Sequence, residues 1–588
     1  MFANSQPLSE REAFLLRVTT GIAAGVVVAM IPQFLRNQLG GSDEKALERW
    51  YMIWTSTVAL VSMIVMANAA IMRRTALLIW TLFAGAAIFA LVWRMQMSLV
   101  SRGYFDALIA TMLMPLVFIT NELVVSADQA RKVIAPYEIY FEGVWKRGVQ
   151  LVIAIAFAFL FFAILYLGAS LLSFIGFNWL DRLLSISNIT YPLAGLAFAG
   201  AVQLGDVQPK LLANARGLAL NVLSWLLPVI TLVGGIFSVS LLFSGLEPLW
   251  KTKAATATLL WACVGFVLLM NAAFQQGDDE RKVQVILKWS VRLAAFLLLV
   301  FAVLAAWGLG LRINQYGLTV ERCFAALVTV ISLAYGVSYS IAAVWRGPWM
   351  ALVMPINIGL AAFMCALFVA FITPIAAPDR LTVDNQVARL TTGMVKPEAF
   401  DWWLLREETG TYGDKALDQL TKSPNATIAD WAKRAKADQI GKRPIGSMEE
   451  APQEAVRPDP AKFEVVFPKG AALPASFLNQ TFRPNDGWLS NVCLWPDRPS
   501  PYQLCRAALL DVDGDQKAEI IFIEPESALV VFKEQGSDWV IHHTTQVGTK
   551  SLDVDSLLKG DVGTASPAFK DIVIGGARYQ IDPREKDD

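Results

Sequence analysis

Eleven stretches of the chain are long and apolar enough to cross a bilayer, and this feature constrains the fold more than any other. They cover residues 14–31, 51–71, 76–93, 107–125, 148–177, 190–204, 217–243, 255–274, 290–310, 323–345 and 350–376. A helix needs about 20 mostly apolar residues to span a hydrocarbon core of roughly 30 Å. Long unbroken apolar runs do not alternate as barrel strands do, so helices are expected. The fifth stretch exceeds one perpendicular crossing, which implies tilt, a kink or extension beyond the core. The sixth is short and rich in Gly and Ala, the weakest of the set. The first is expected as a retained span, because Arg17 interrupts it and it lacks a compact basic start. With 55% hydrophobic and 17% charged residues among 588, the chain is not a nucleic-acid binder, a disordered chain or a small disulfide scaffold.

The expected fold is an all-α polytopic membrane bundle of about 11 transmembrane helices over residues 1–378, followed by polar modules. Basic and acidic residues balance at 50 each, yet residues 1–378 hold 25 basic and 17 acidic residues and residues 379–588 hold 25 and 33. Residues 379–442 read as a short helical segment, 443–475 as a Pro-rich linker, and 476–588 as a β-rich domain. In the helical segment Pro397 suits a helix start, Phe400, Trp403 and Leu404 fall on one face, and Thr427 with Asp430 resembles a capping pair. Lys and Arg in alternate loops number 14 on the N-terminal side and 10 on the other. The richer side is expected to be cytoplasmic, so an odd number of spans places the tail outside, and loss of the sixth span reverses it.

Five cysteines divide between the two regions. Cys263, Cys323 and Cys365 lie in spans, where cysteine acts as a small hydrophobe. Cys493 and Cys505 lie in the tail, and in an oxidising compartment they are disulfide candidates; two buried thiols are the alternative. His542 and His543, the only histidines, are neighbours that a strand would point to opposite faces. No phosphate loop, dinucleotide fingerprint or nucleophile elbow occurs.

The run Asp511-Val512-Asp513-Gly514-Asp515-Gln516-Lys517-Ala518-Glu519 carries the most specific chemistry. Carboxylates at relative positions 1, 3, 5 and 9 can wrap oxygen ligands around a hard cation, and calcium takes six to eight of them. Asp511, Asp513, Asp515 and Glu519 are thus candidate ligands for a structural Ca2+. An EF-hand is disfavoured, because its sixth position needs glycine and its twelfth glutamate, whereas here they are Gln516 and Phe522. The pattern resembles the calcium loop of FG-GAP or VCBS-type β repeats, from which Gln516 departs where glycine is common. A hairpin turn that binds nothing is the alternative.

Within the spans, Arg17, Glu122 and Asn271 are the polar candidates, since ionisable and amide groups are costly in lipid. Pro115, Pro228 and Pro355 could break helices as transporter sites require. Snorkelling, interfacial placement and simple kinking are the respective alternatives.

The segment Leu311-Arg312-Ile313-Asn314-Gln315-Tyr316-Gly317-Leu318-Thr319-Val320-Glu321-Arg322 resembles the Tyr-Gly-Leu-Thr…Arg signature of a bacterial multi-pass family, the domain-of-unknown-function 4153 family. Residues 400–405 and 411–417 are similar to a part that follows the membrane region there. The resemblance covers most of residues 10–420 and implies a bacterial inner membrane, with no activity, ligand or catalytic residue. Thr319 is placed to cap the tenth span, and Arg312 and Arg322 flank a polar turn.

Three functions follow from these readings. The first is a non-enzymatic inner-membrane protein with a cytoplasmic N-terminus, whose periplasmic tail binds calcium or a protein or cell-envelope partner. The second is a transporter or channel for a solute. The third is an enzyme acting on lipid-linked material at the outer face.

Overall fold

Hydrocarbon offers no hydrogen-bond partner, so each apolar run must satisfy its own backbone, and an unbroken helix does so. A computed structural model describes residues 6–39, 44–98, 108–246, 255–275, 285–346, 348–437, 457–458, 460, 463–481, 505–512, 514–524, 528–535, 538–546, 572–574 and 577–579. It divides into two compact units, Met1–Arg443 and Pro444–Asp588.

Among its described residues the first unit has helices and no named strand. Its membrane helices are α1 (Glu10–Leu39), α2 (Glu44–Asn68), α3 (Arg74–Ser98), α4 (Met114–Ala130) and α5 (Tyr137–Phe174). A six-residue helix α6 (Trp179–Leu184) precedes α7 (Ser187–Val207), α8 (Pro209–Ser244) and α9 (Ala255–Phe274). The series ends with α10 (Val285–Tyr316), α11 (Val320–Val344) and α12 (Val353–Ile372). Among the described residues, ten helices are long and apolar enough to cross a membrane. Ten of the eleven expected stretches thus form such helices, and the sixth forms α7, a helix that falls short on composition.

Small residues instead give α7 a helix partner. A Cβ on Gly195 would lie 3.2 Å from Gly21 Cα, and one on Gly25 would strike the backbone of Pro192. Only glycine permits backbones so close, the usual device for helix pairing in lipid. Arg17 meets Asp206, Gly21 meets Gly195 and Gly25 meets Pro192, so α7 runs antiparallel to α1 along its length. At 1.5 Å per residue its 21 residues extend about 31 Å. The 38 residues of α5 extend about 57 Å, well past one perpendicular crossing.

Two cores fill the bundle. One joins α8–α12 with the start of α5, where Ala294, Ala295, Ala302 and Ala305 of α10 let Phe266 and Phe301 meet edge to face. The other joins α2, α3 and α4 with the ends of α11 and α12 around Ile53, Val92, Leu113 and Phe371. Pro115 follows a π-turn at Ile109–Leu113, Pro355 sits in the first turn of α12, and α8 continues through Pro228. None of the three prolines opens a gap in a described span.

A helical cap closes the unit, built from α13 (Pro378–Thr391), α14 (Gly410–Leu420) and α15 (Ala426–Lys436). Pro397 opens only a single 3-10 turn, and a π-turn follows at Leu404–Glu408. This irregular winding buries Trp402, with Phe400, Leu404 and Leu405, where helical spacing selected Trp403. Asn425, not Thr427, caps α15: its Oδ1 accepts from Thr427 N at 3.0 Å and Ile428 N at 3.4 Å.

In the second unit a five-stranded sheet has the order β1-β2-β3-β4-β5. Its strands are β1 (Phe463–Phe467), β2 (Cys505–Leu510), β3 (Glu519–Glu524), β4 (Ala528–Gln535) and β5 (Asp538–Gln546). Strands β2–β5 pair antiparallel and β1 joins β2 in parallel. The apolar run of β1 lies inside the stretch read as a linker, where the surrounding prolines masked it. A short helix α16 (Ala475–Asn479) sets Phe477 against Phe522, Phe532 and Trp539. Strands β6 (Ile572–Ile574) and β7 (Ala577–Tyr579) form a separate hairpin.

Gly195→Leu should separate α1 from α7, because the added side chain has only backbone to displace. Thermal unfolding of the purified protein in detergent is expected to show a loss of at least about 2 kcal/mol, whereas Gly200→Leu, at a position with open space, should change little.

Candidate functional site

A polar side chain inside a span has only other protein groups to bond. Every polar candidate found in the spans is so bonded. Arg17 donates through Nε to Met66 O at 2.9 Å, through Nη1 to Gln203 and through Nη2 to Asp206, joining α1, α2 and α7. Lys146 adds a second positive charge 3.6 Å from Asp206. Glu122 of α4 is held by Nε and Nη2 of Arg147 on α5, and both residues are buried. The pair fits because residue 143 is glycine: a Cβ there would come within 2.8 Å of Glu122 Oε2. Asn68 donates to Asn121 Oδ1 at 2.6 Å, and the Trp80 indole N–H reaches the same oxygen at 3.0 Å.

Asn271 belongs to a different arrangement. It donates to Val267 O and to the Tyr339 hydroxyl, both at 2.8 Å. The Tyr339 hydroxyl donates to Asn357 Oδ1 at 2.6 Å, and Asn357 Nδ2 returns to Asn271 Oδ1 at 2.7 Å. Asn357 Nδ2 also donates to the Tyr137 hydroxyl at 3.0 Å. Helices α5, α9, α11 and α12 thus meet at one closed ring of hydrogen bonds with an arm to Tyr137.

Beside the ring lies a cavity of about 430 Å³, within the 300–1,000 Å³ of small-molecule sites. Its wall comes from α4, α5, α9, α11 and α12, and is mostly apolar: Phe118, Trp145, Val264 and Met364 are typical. Glu122, Tyr137, Tyr140, Asn271, Ser332, Tyr335 and Asn357 supply polar groups. Two of the three intramembrane candidates, Glu122 and Asn271, therefore share one cavity, while Arg17 belongs to the α1–α7 contact. Asn357, Tyr339 and Arg147 were missed. Asn357 lies between apolar neighbours in a span and could have been found on that signal, whereas Tyr339 reads as ordinary core and Arg147 as a loop charge.

The tail loop is only partly described. Asp513 and Cys493 lie outside the described residues, so neither the full calcium set nor the disulfide with Cys505 is seen. Asp511 accepts from Gly514 N at 2.6 Å and Gln516 N at 2.9 Å. Glu519, only 2% exposed, accepts from Val512 N at 2.9 Å. Lys533 on β4 places Nζ 3.0 Å from Asp515 Oδ2 and 3.7 Å from Glu519 Oε1. Its hydrogen bond and the Lys517 N–H hold the Asp515 carboxyl below the usual carboxylate range. Among the described residues no group of three or more His, Cys, Asp or Glu is arranged to hold a metal. Gln516 stands at φ +67°, a left-handed conformation that glycine adopts without strain.

The turn between α10 and α11 shows what the Tyr-Gly-Leu-Thr segment does. Thr319 Oγ1 accepts from Arg322 N at 3.2 Å, capping α11 as expected. Arg322 donates to Gly317 O at 2.8 Å and lies over the Tyr316 ring. From the cap, Gln386 donates to Tyr316 O and Leu318 O, Asn385 accepts from Leu318 N, and Arg389 donates to Asn314 O and Gln315 O. Gly317 has φ +81° and a Cβ there would strike Gln386 and Asn385. Residues 59–420 match the family described as Domain of unknown function (DUF4153). The chain belongs to this family. The DUF4153 match runs from within α2 to the end of α14, so most of the bundle and of the cap lie in it, whereas α1, α15 and the sheet unit lie outside it. Neither a curated protein nor a solved structure matches the chain.

Two outcomes test these contacts. Arg147→Met leaves Glu122 buried and unpaired, a change expected to cost about 3–5 kcal/mol in detergent melts; adding Glu122→Leu should recover most of it. Gln516→Gly should stabilise the sheet unit by about 1 kcal/mol by relieving a left-handed side chain. Because the Asp515 pKa is lowered on folding, its pairing stabilises above the ordinary carboxylate range and is lost as pH falls through the lowered value. Lys533→Met should therefore flatten the acid limb of the unit's melting profile.

Proposed function

We propose that this integral membrane protein is a carrier for a largely apolar small molecule, which it holds in the cavity between α4, α5, α9, α11 and α12. The observation that carries the reading is a 430 Å³ space within the span bundle, walled by apolar residues and by polar groups from separate helices. Membrane-buried polar groups that face a cavity are the usual markers of a solute path.

For its setting, the reading is a bacterial inner membrane with the N-terminus in the cytoplasm and the C-terminal unit in the periplasm. The excess of Lys and Arg in N-terminal-side loops supports that orientation. The antiparallel packing of α7 along α1 supports counting α7 as a crossing, which makes eleven and puts the two ends on opposite sides. Reporter fusions in each loop and after Arg443 test this; a cytoplasmic signal after Arg443 would overturn the orientation.

A second reading concerns the tail, where a buried Glu519 and its neighbours already attract one cation, the Lys533 ammonium. In this reading Asp511, Asp513, Asp515 and Glu519 take up calcium in exchange for that ammonium, and the loaded unit meets a protein or cell-envelope partner. Calorimetry on the full chain in detergent should show calcium binding that tightens in Lys533→Met. Heatless titrations for both proteins would sink the idea.

The carrier reading is tested on the purified protein. Organic extracts of the wild type, examined by mass spectrometry, are expected to contain a lipophilic compound that is depleted in the cavity-filling variant Ile119→Trp. Flux of that compound into proteoliposomes should fall in the same variant. Identical extracts from wild type and variant would overturn the reading.

A further inference from the structure

The hydrogen-bond ring has a direction, and the direction determines what the cavity can recognise. One point in it is unambiguous: a backbone carbonyl only accepts, so the nitrogen of the Asn271 amide must face Val267 O. Its oxygen then faces Asn357, which must answer with its own nitrogen at 2.7 Å. The Asn357 oxygen is thereby turned toward Tyr339, whose hydroxyl must donate to it. The remaining Asn271 proton goes to the Tyr339 oxygen and the remaining Asn357 proton to Tyr137. Every amide proton of Asn271 and Asn357, and the hydroxyl proton of Tyr339, is spent inside the network.

Tyr137 is where the network ends. Its hydroxyl oxygen is taken as an acceptor, and among the described residues its own proton has no acceptor. Tyr140, one turn further along α5, is in the same state: its oxygen accepts from Ala135 N at 3.1 Å and its proton is unspent. Both phenols line the cavity. An oxygen that already accepts one bond is a better donor through cooperative polarisation. Tyr335, the third phenol on the wall, gives its proton to Met364 Sδ at 3.8 Å, so the unspent phenol protons are those of Tyr137 and Tyr140.

Charge narrows the ligand further. Glu122 is the one charged residue on the described wall, and its partner Arg147 does not line the cavity. An anion would approach the carboxylate without reaching the guanidinium, and a cation would compete with an arginine already bound through two nitrogens. From two unspent phenol protons on a wall whose one charge is already paired we infer that the occupant is an uncharged, largely apolar molecule whose polar end is a carbonyl or ether oxygen, received by Tyr137 and Tyr140. The inference rests on the cavity being the binding site and adds the chemical class of the ligand.

Benzophenone and diphenylmethane form a matched pair that differ in one carbonyl. Equilibrium dialysis against the full chain in detergent should give benzophenone a Kd about fivefold or more below that of diphenylmethane, the gain of a hydrogen bond made in a dry site. The ratio should fall in Tyr137→Phe and approach one in Tyr137→Phe/Tyr140→Phe, with the diphenylmethane Kd unchanged as a check on the fold. Should those variants fail to fold, the wild type decides alone: the C=O stretch of bound benzophenone is expected at lower wavenumber than in the detergent. Equal Kd values in the wild type, a ratio that survives the double substitution, or an unshifted stretch would overturn the ligand class and leave the cavity reading standing. Absence of saturable binding by either compound would overturn both.

Discussion

Hydrocarbon cannot hydrogen-bond, so each polar group buried in this bundle must find its partner in the protein, and those partners set which helices meet. Arg17 ties the first helix to α2 and α7 through Met66, Gln203 and Asp206. Glu122 with Arg147 ties α4 to α5, and Asn68 with Asn121 ties α2 to α4. The Asn271–Tyr339–Asn357 ring ties α9, α11 and α12, and its arm reaches α5. Dispersion packing of Ala and Phe fills the space between, but it is not directional and would accept several arrangements. The polar contacts select one.

How much of this could be read from the sequence depended on whether a signal was local. Apolar length is local, and the long spans were visible on it. The α7 helix gave the weakest of these signals, and the close approach of Gly21 and Gly195 that its small residues permit was not visible in it. Glu122 and Asn271 stood out individually as polar residues in apolar surroundings. Their partners did not, since Arg147 and Tyr339 are unremarkable until the fold brings them near. The cap shows the same limit on a smaller scale: Trp402 rather than Trp403 is buried because 3-10 and π turns break the helical spacing, and Asn425 caps one residue pair earlier than the Thr427 pattern suggested.

The turn at Gly317 is held through its backbone. Asn385, Gln386 and Arg389 read its backbone rather than its side chains, and only glycine leaves room for them. The DUF4153 match spans both partners of this contact, the membrane turn and the helix that reads it. The cap is thus part of the membrane unit's own architecture, whereas the sheet unit is a separate compact body with its own aromatic core.

The separation of Arg17 from Asp206 has a consequence for how the chain is made. The two lie 189 positions apart, so at ordinary translation speeds roughly 10–40 s pass between their emergence from the ribosome. During that interval α1 carries a guanidinium whose counter-ion has not been synthesised. Its early insertion must therefore be shallow or shielded by the insertion machinery, and final seating of the N-terminal helix waits on the arrival of the seventh.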